Sequence, residues 1–197
     1  MQKNVIWLSA LVTLFLFALP AYAHPDASHG VGAFAAGFLH PLTGLDHLLA
    51  MFAVGIWAAQ SQGKPRWTFV LTFLAMMIFG ALIGVAGRPF AGVELMIGLS
   101  VAVLGLLIAF AAKLSPALSV SLIAFFAIFH GLAHGAEMPA GGALLLYGAG
   151  FVVATAFILG LGLSFWLLRK TKLNFRVRRF SGIGIAMAGV FFLFGLA

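Results

Sequence analysis

The sequence predicts an all-α fold, a polytopic bundle of transmembrane helices, and three observations carry this prediction. Hydrophobic residues make up 63% of the 197 residues and charged residues only 8%, which is too few to cover the surface of a soluble globule. Apolar runs of about 20 residues, the length of a helix that crosses a bilayer, recur along the chain. The segments between these runs are short and contain proline, glycine and basic residues. We therefore expect one membrane-embedded bundle without a second domain.

The first 23 residues have the order of a cleavable secretory signal. Lys3 precedes the apolar run "VIWLSALVTLFLFALP", and the small-residue motif "AYA" follows it. We expect cleavage after Ala23, so that residues 24–30 form a histidine-containing tail on the far side of the membrane. The alternative is an uncleaved first transmembrane helix, because the apolar run of a signal and a short spanning helix overlap in length.

Proline, glycine and charge divide residues 31–197, which we expect to form a single transmembrane domain, into six spans. The connectors "QSQGKPR", "GRP", "KLSP", "PAG" and "RKTKLNFRVRR" are all short. Each segment between them is long enough to cross a bilayer. The six predicted spans are approximately 31–59, 67–86, 91–112, 117–138, 141–168 and 180–197.

The basic residues predict the orientation of the chain. If the mature amino terminus lies outside the cytoplasm, nine basic residues fall in cytoplasmic loops and only Arg88 falls in an outer loop, as the positive-inside rule requires. The carboxyl terminus then also lies outside. The net charge of +7 therefore reflects topology and contact with anionic lipid headgroups, and we do not expect nucleic-acid binding. The nine residues are Lys64, Arg66, Lys113, Arg169, Lys170, Lys172, Arg176, Arg178 and Arg179.

The histidines and acidic residues are unevenly distributed. All six histidines and all four acidic residues lie in the tail or near the predicted outer ends of the first, third and fourth spans. Ionisable groups cost about 3 kcal/mol each in a lipid-facing helix, so they should face the bundle interior and mark an ion path. The ten residues are His24, Asp26, His29, His40, Asp46, His47, Glu94, His130, His134 and Glu137.

The motif "FHGLAHGAEMP" in the fourth span places three possible metal ligands on one helical face. Its residues His130, His134 and Glu137 are spaced i, i+4 and i+7, which puts them within about 40° of one another in an ideal helix. Histidine and carboxylate ligands suit a first-row divalent cation. The chain has no cysteine, which excludes thiolate ligands and disulfides.

The motif "HPLTGLDHLLAM" in the first span has a similar composition but a longer spacing. His40 and His47 would lie about 10 Å apart along an unbroken helix. Pro41 and Gly44 favour local unwinding, which could bring His40, Asp46 and His47 together, as in the discontinuous helices of transporters. The alternatives are two ions, or two stations for one ion, a turn or two apart.

Two further groups are candidate contributors at the outer side. After cleavage, the α-amine and imidazole of His24 could chelate an ion together, with Asp26 and His29 close by. The alternative is a mobile tail whose polarity serves only solubility. Glu94 begins the third span at the same level, where it either contributes to the entrance or pairs with Arg88.

The two motifs together resemble those of the HupE/UreJ family of nickel and cobalt permeases, and the resemblance covers essentially the whole chain. It implies a secondary uptake system for Ni²⁺ or Co²⁺ in the bacterial inner membrane, whose termini are periplasmic in the orientation predicted above. We expect the ion to bind transiently, and we expect no prosthetic group and no enzymatic activity. The chain has no G-x-x-x-x-G-K-[ST] motif, so we expect no ATPase subunit. The family's metal ligands carry over to His40, Asp46, His47, His130, His134 and Glu137.

The spacing of the first motif differs from that of the larger nickel/cobalt transporter group. That group has a His-x4-Asp-His element, whereas this chain has five residues between His40 and Asp46. Ligand geometry therefore does not carry over from it.

An intramembrane metal-dependent hydrolase is the main alternative function, since the same ligands could hold a catalytic ion. The zinc-protease motif H-E-x-x-H does not occur in the chain. A haem protein with paired histidine ligands and a purely structural polar network are weaker alternatives, because structural networks in membranes use mainly serine, threonine, asparagine and glutamine.

Overall fold

The computed structural model describes residues 30–61, 65–87, 91–138, 143–164 and 172–195, and these form seven α-helices and no strand. The all-α prediction is therefore confirmed for the described residues. The predicted signal peptide and the residues His24, Asp26, His29 and Arg88 lie outside them. The helices are α1 (Gly30–Thr43), α2 (Leu45–Gln60), α3 (Pro65–Val85), α4 (Val93–Ala109), α5 (Pro116–Ala136), α6 (Leu144–Leu163) and α7 (Lys172–Leu193).

Several of these helices have the length and composition of membrane spans. Among the described residues, α3, α5 and α6 are each long and apolar enough to cross a bilayer. The pair α1 and α2 passes the same test as one broken span, and α4 is apolar but shorter, at 17 residues. These are the helices of a membrane protein.

The first predicted span is broken in two. Helices α1 and α2 meet at Gly44 with a bend of 82°. Gly44 has the extended backbone angles φ −88° and ψ 107°, and its carbonyl accepts the first hydrogen bond of α2 from Leu48 N at 2.9 Å. The Thr43 hydroxyl donates to the carbonyl of His40 at 2.7 Å, which satisfies a carbonyl at the end of α1. The expected unwinding near Pro41 and Gly44 is therefore present, at Gly44.

The last helix begins eight residues earlier than predicted. We expected residues 169–179 to be a connector, and this is wrong for residues 172–179, which belong to α7. Residues 172–179 contain neither proline nor glycine, and lysine, arginine and leucine are good helix formers. Charge therefore marks a connector less reliably than proline or glycine does.

Glycines set the separation between helices. Three pairs pack closely: α3 with α5, α4 with α7, and α1 with α6. On α5, a Cβ at Gly131 would overlap the carbonyl oxygen of Met77, and one at Gly135 would overlap that of Ala81. The two backbones are in direct contact, as the glycine-rich sequence predicts for helices that associate by close packing. Glycines at similar close approaches in the other two pairs are Gly37, Gly105, Gly150, Gly182 and Gly189.

Helix α2 lies at the centre of the bundle. It packs against α3, α4, α6 and α7, and all residues from 53 to 59 are buried. Met51 of α2, Phe73 of α3 and Phe151 of α6 belong to the same buried core and are at most 1% exposed. In the first turn of α2, just after the break at Gly44, His47 is buried and Asp46 is partly buried.

Candidate metal centre

Three ligand atoms from α1 and the end of α5 lie together, and we call His40, His134 and Glu137 the triad. His40 Nε2 lies 2.9 Å from Glu137 Oε2 and 3.1 Å from His134 Nδ1, and His134 Nδ1 lies 3.9 Å from Glu137 Oε2. A single point lies about 2.0 Å from all three atoms, which is the bond length of first-row divalent metals to nitrogen and oxygen. The triad could therefore hold one such ion with little rearrangement.

The members of the triad differ in their exposure. The side chain of His134 is 3% exposed, that of His40 26% and that of Glu137 58%. Glu137 is thus the most exposed of the three ligands and His134 the most buried, so the triad leads from the protein surface into the interior. Glu137 carries the negative charge at the open end, and its hydrogen bond with His40 lowers its pKa below the usual value. Glu137 is therefore ionised at neutral pH and attracts cations.

Glu137 reaches the triad from a turn. Helix α5 ends at Ala136, and Glu137 is its C-terminal capping residue, with φ −95° and ψ −5°. Although the helix ends before Glu137, this residue still lies on the same side as His134, with Glu137 Oε2 3.9 Å from His134 Nδ1. Pro139 follows two residues later, and proline disfavours helical conformation in the residue before it.

His47 and His130 are a second group of buried imidazoles beside the triad, and we call them the histidine pair. They are 8% and 1% exposed, and their ring centroids are 4.9 Å apart with the rings nearly perpendicular, at 88°. His47 Nδ1 lies 2.8 Å from Asp46 Oδ1, and His130 Nε2 lies 2.9 Å from Ser100 Oγ on α4. Each imidazole is therefore held by a polar side chain on one of its two nitrogens.

His134 connects the triad to the histidine pair. Its ring centroid lies 5.1 Å from that of His40 and 4.2 Å from that of His47. The ring centroid of Phe151 lies 4.4 Å from that of His134, and the centroid of Phe73 lies 6.0 Å from that of His130. Aromatic rings therefore pack against the buried histidines of the site.

Comparison with protein families identifies the chain. The family model described as "HupE / UreJ protein" matches residues 12–192.

The chain belongs to the HupE/UreJ family.

This HupE/UreJ protein is 39% identical to Protein HupE of Rhizobium leguminosarum bv. viciae over 183 residues, which cover 93% of this chain and 96% of the relative. The resemblance inferred from the two motifs is confirmed. The comparison with solved structures found no significant match.

In this HupE/UreJ protein, the six residues predicted as ligands all lie in one cluster. His40, His134 and Glu137 form the triad, while His47 and His130 form the histidine pair. Asp46 contacts His47, although residues adjacent in an ideal helix point in directions 100° apart. The contact is possible because Asp46 lies in the first turn of α2, where its carboxylate folds back and also accepts from the backbone N–H of His47 at 2.7 Å.

Of the other predicted contributors, the structure describes only Glu94. Glu94 is in the first turn of α4, with an exposed side chain, and is not part of the triad. His24, Asp26 and His29 fall outside the described residues.

Sequence reasoning missed the residues that position the HupE/UreJ site. Ser100 is fully buried in the apolar run "MIGLSVAVLG", where an isolated hydroxyl is a signal that the sequence did offer. Tyr147 and Phe151 approach His40 with ring centroids 5.8 and 6.3 Å away. Aromatic residues in membrane helices carry no such signal, because most of them contact lipid or fill the core.

Proposed function

We propose that this protein is a secondary transporter that takes up Ni²⁺ or Co²⁺ across the bacterial inner membrane. The triad is the observation that carries the proposal, since its three donors have the separations and the chemistry that a first-row divalent cation needs. Exposed Glu137 supplies access, and buried His134 draws the ion inward. Family membership supports a role in metal transport.

The proposed topology has six spans after a cleaved signal peptide, with both termini in the periplasm. The distribution of basic residues supports this orientation, because Lys113 and Arg178 line a cavity with Trp57 and Gln60 at the far end of α2 from the triad. The triad then faces the periplasm, from which the ion enters. In this proposal His24, Asp26 and His29 capture the ion in the tail, and Glu94 adds negative charge at the entrance.

The same arrangement favours transport over catalysis. A transport site must bind an ion well enough to admit it and weakly enough to release it, and a few histidine and carboxylate ligands meet both needs. The family match gives no support to the hydrolase alternative.

Metal accumulation in whole cells tests the proposed function. Cells that lack their own nickel and cobalt uptake are transformed with the wild-type gene or an empty vector, and internal nickel, cobalt and zinc are measured at submicromolar supply. We expect nickel or cobalt to accumulate at least about tenfold above the vector, with competition between the two because both accept the same ligands. Accumulation at the vector level, with normal amounts of protein in the membrane, would overturn the proposal.

Metal binding should weaken as pH falls. Imidazole must be deprotonated to bind a metal, so protons compete with the ion for the histidine ligands as pH falls, whereas Glu137, with its lowered pKa, stays ionised. We expect the Kd of the purified protein for Ni²⁺ to rise at least about tenfold from pH 7.5 to pH 5.5. Equilibrium titration in detergent measures this without a proton gradient. A Kd that stays constant between these values would argue against imidazole ligands.

A further inference from the structure

The histidine pair contains two buried nitrogen atoms that lack a partner. Among the described residues, neither His47 Nε2 nor His130 Nδ1 has a hydrogen-bond partner, and both atoms are inaccessible to solvent. Burying a polar atom without a partner is costly, so proteins seldom do it without a functional reason.

Ser100 determines which nitrogen of His130 carries the proton. The Ser100 hydroxyl donates its only proton to the carbonyl of Ile97 at 2.7 Å. It must therefore accept a hydrogen bond from His130 Nε2–H, at 2.9 Å. The proton is fixed on Nε2, and His130 Nδ1 carries an unshared lone pair.

Asp46 has the same effect on His47. The carboxylate oxygen Oδ1 accepts from His47 Nδ1–H at 2.8 Å and from the backbone N–H of His47 at 2.7 Å. His47 Nε2 is therefore the nitrogen with the free lone pair. A histidine that donates one N–H to a carboxylate or hydroxyl and leaves the other nitrogen free has the arrangement of a metal ligand.

We propose that His47 Nε2 and His130 Nδ1 form a second binding station for a divalent transition-metal cation, separate from the triad, with Asp46 and Ser100 as positioning residues. The spacing of the rings fits this assignment. With metal–nitrogen bonds of about 2.0 Å, two imidazoles bound at angles of 90° to 109° have centroids about 4.5 to 5.2 Å apart. The observed separation is 4.9 Å.

The second station rests on the proposed transport function and deepens it. His134 of the triad lies beside the second station, with its ring centroid 4.2 Å from that of His47, so an ion released by the triad has a neighbouring site to enter. Adjacent sites of this kind allow an ion to move in short steps without losing all its ligands at once.

Metal stoichiometry of the purified full-length protein tests the second station. Calorimetric titration with Ni²⁺, checked by elemental analysis, should give two ions per chain for the wild type. Glu137→Gln and His130→Ala should each retain one ion, the first at the histidine pair and the second at the triad. The ion retained by His130→Ala also shows that this variant is folded. One ion in the wild type, lost in both variants, would overturn the second station and leave transport intact, whereas no binding and no uptake by the wild type would overturn the proposed function.

Ser100→Ala tests the positioning role separately. We expect this variant to weaken binding of one ion about 10- to 100-fold while the other keeps its affinity, because loss of a residue that orients a ligand typically costs this much. Asp46→Asn should weaken the binding of the same ion, because Asp46 orients His47 in the same pair. Ser119→Ala is the matched control, since Ser119 is a buried serine whose hydroxyl bonds only within its own helix, to the carbonyl of Ser115 at 3.0 Å. If Ser100→Ala binds both ions as Ser119→Ala does, Ser100 does not position His130.

Discussion

The His134→Ala variant should lose metal uptake to the level of cells without the protein. His134 supplies Nδ1 to the triad, and its ring lies 4.2 Å from that of His47. Loss of a residue that merely orients a metal ligand costs about 10- to 100-fold in affinity, so loss of this ligand should cost at least about 100-fold. His47→Ala should also reduce uptake, since the histidine pair lies next on the path.

Whole-cell nickel accumulation, normalised to the amount of protein in the membrane, measures the effect. Ser119→Ala is the control, because Ser119 lies on the same helix as His134 and its hydroxyl donates only to the carbonyl of Ser115, at 3.0 Å. The control should accumulate nickel as the wild type does. Full uptake by His134→Ala and His47→Ala at normal membrane levels would show that the site has been wrongly assigned.

The largest expected effect on folding comes from the contact between α3 and α5. In Gly131→Ala and Gly135→Ala, the added methyl group would overlap the carbonyl oxygens of Met77 and Ala81, which belong to helix backbone and cannot rotate away. The helices would have to separate along their length, with loss of packing on both sides. We expect each substitution to destabilise the protein by about 3 kcal/mol, at the upper end of the cost of overpacking a core.

Thermal unfolding in detergent measures this loss, with size-exclusion chromatography used to monitor the fraction that stays folded at each temperature. Gly148→Ala on α6 is the matched control, since a Cβ there meets no atom within 4 Å. Alanine is favoured over glycine within a helix by about 1 kcal/mol, so the control should be as stable as the wild type or slightly more stable. If the two α5 variants unfold at the same temperature as Gly148→Ala, close contact of α3 and α5 is not needed for the fold.

The sequence predicts much of the fold because membrane helices follow from local properties. Apolar runs located the helices, and Pro41 and Gly44 marked the region of the break, since proline and glycine act on the backbone where they stand. The start of α7 was missed because a basic segment can form either a loop or a helix, and local composition does not distinguish them.

The contacts within the site could be predicted less well. Residue types and motif spacing identified all three members of the triad, yet His40 meets His134 across 94 residues of sequence. That contact depends on the packing of α1 against α6 and on the direction of the bend at Gly44, neither of which is encoded locally. Ser100 was missed for the same reason, because it acts through its contact with another helix.

The break at Gly44 has an electrostatic consequence for an incoming cation. It creates a helix carboxyl terminus at Thr43, and α5 contributes another at Ala136, with His40 and His134 in the respective last turns. Each terminus carries a partial charge of about −0.5 from the aligned peptide dipoles. Asp46 lies in the first turn of α2 and offsets the opposite charge at that amino terminus. Two carboxyl termini and one amino terminus leave the peptide backbone with about half a negative charge near the site, and this adds to the carboxylates of Glu137 and Asp46 in attracting a doubly charged ion.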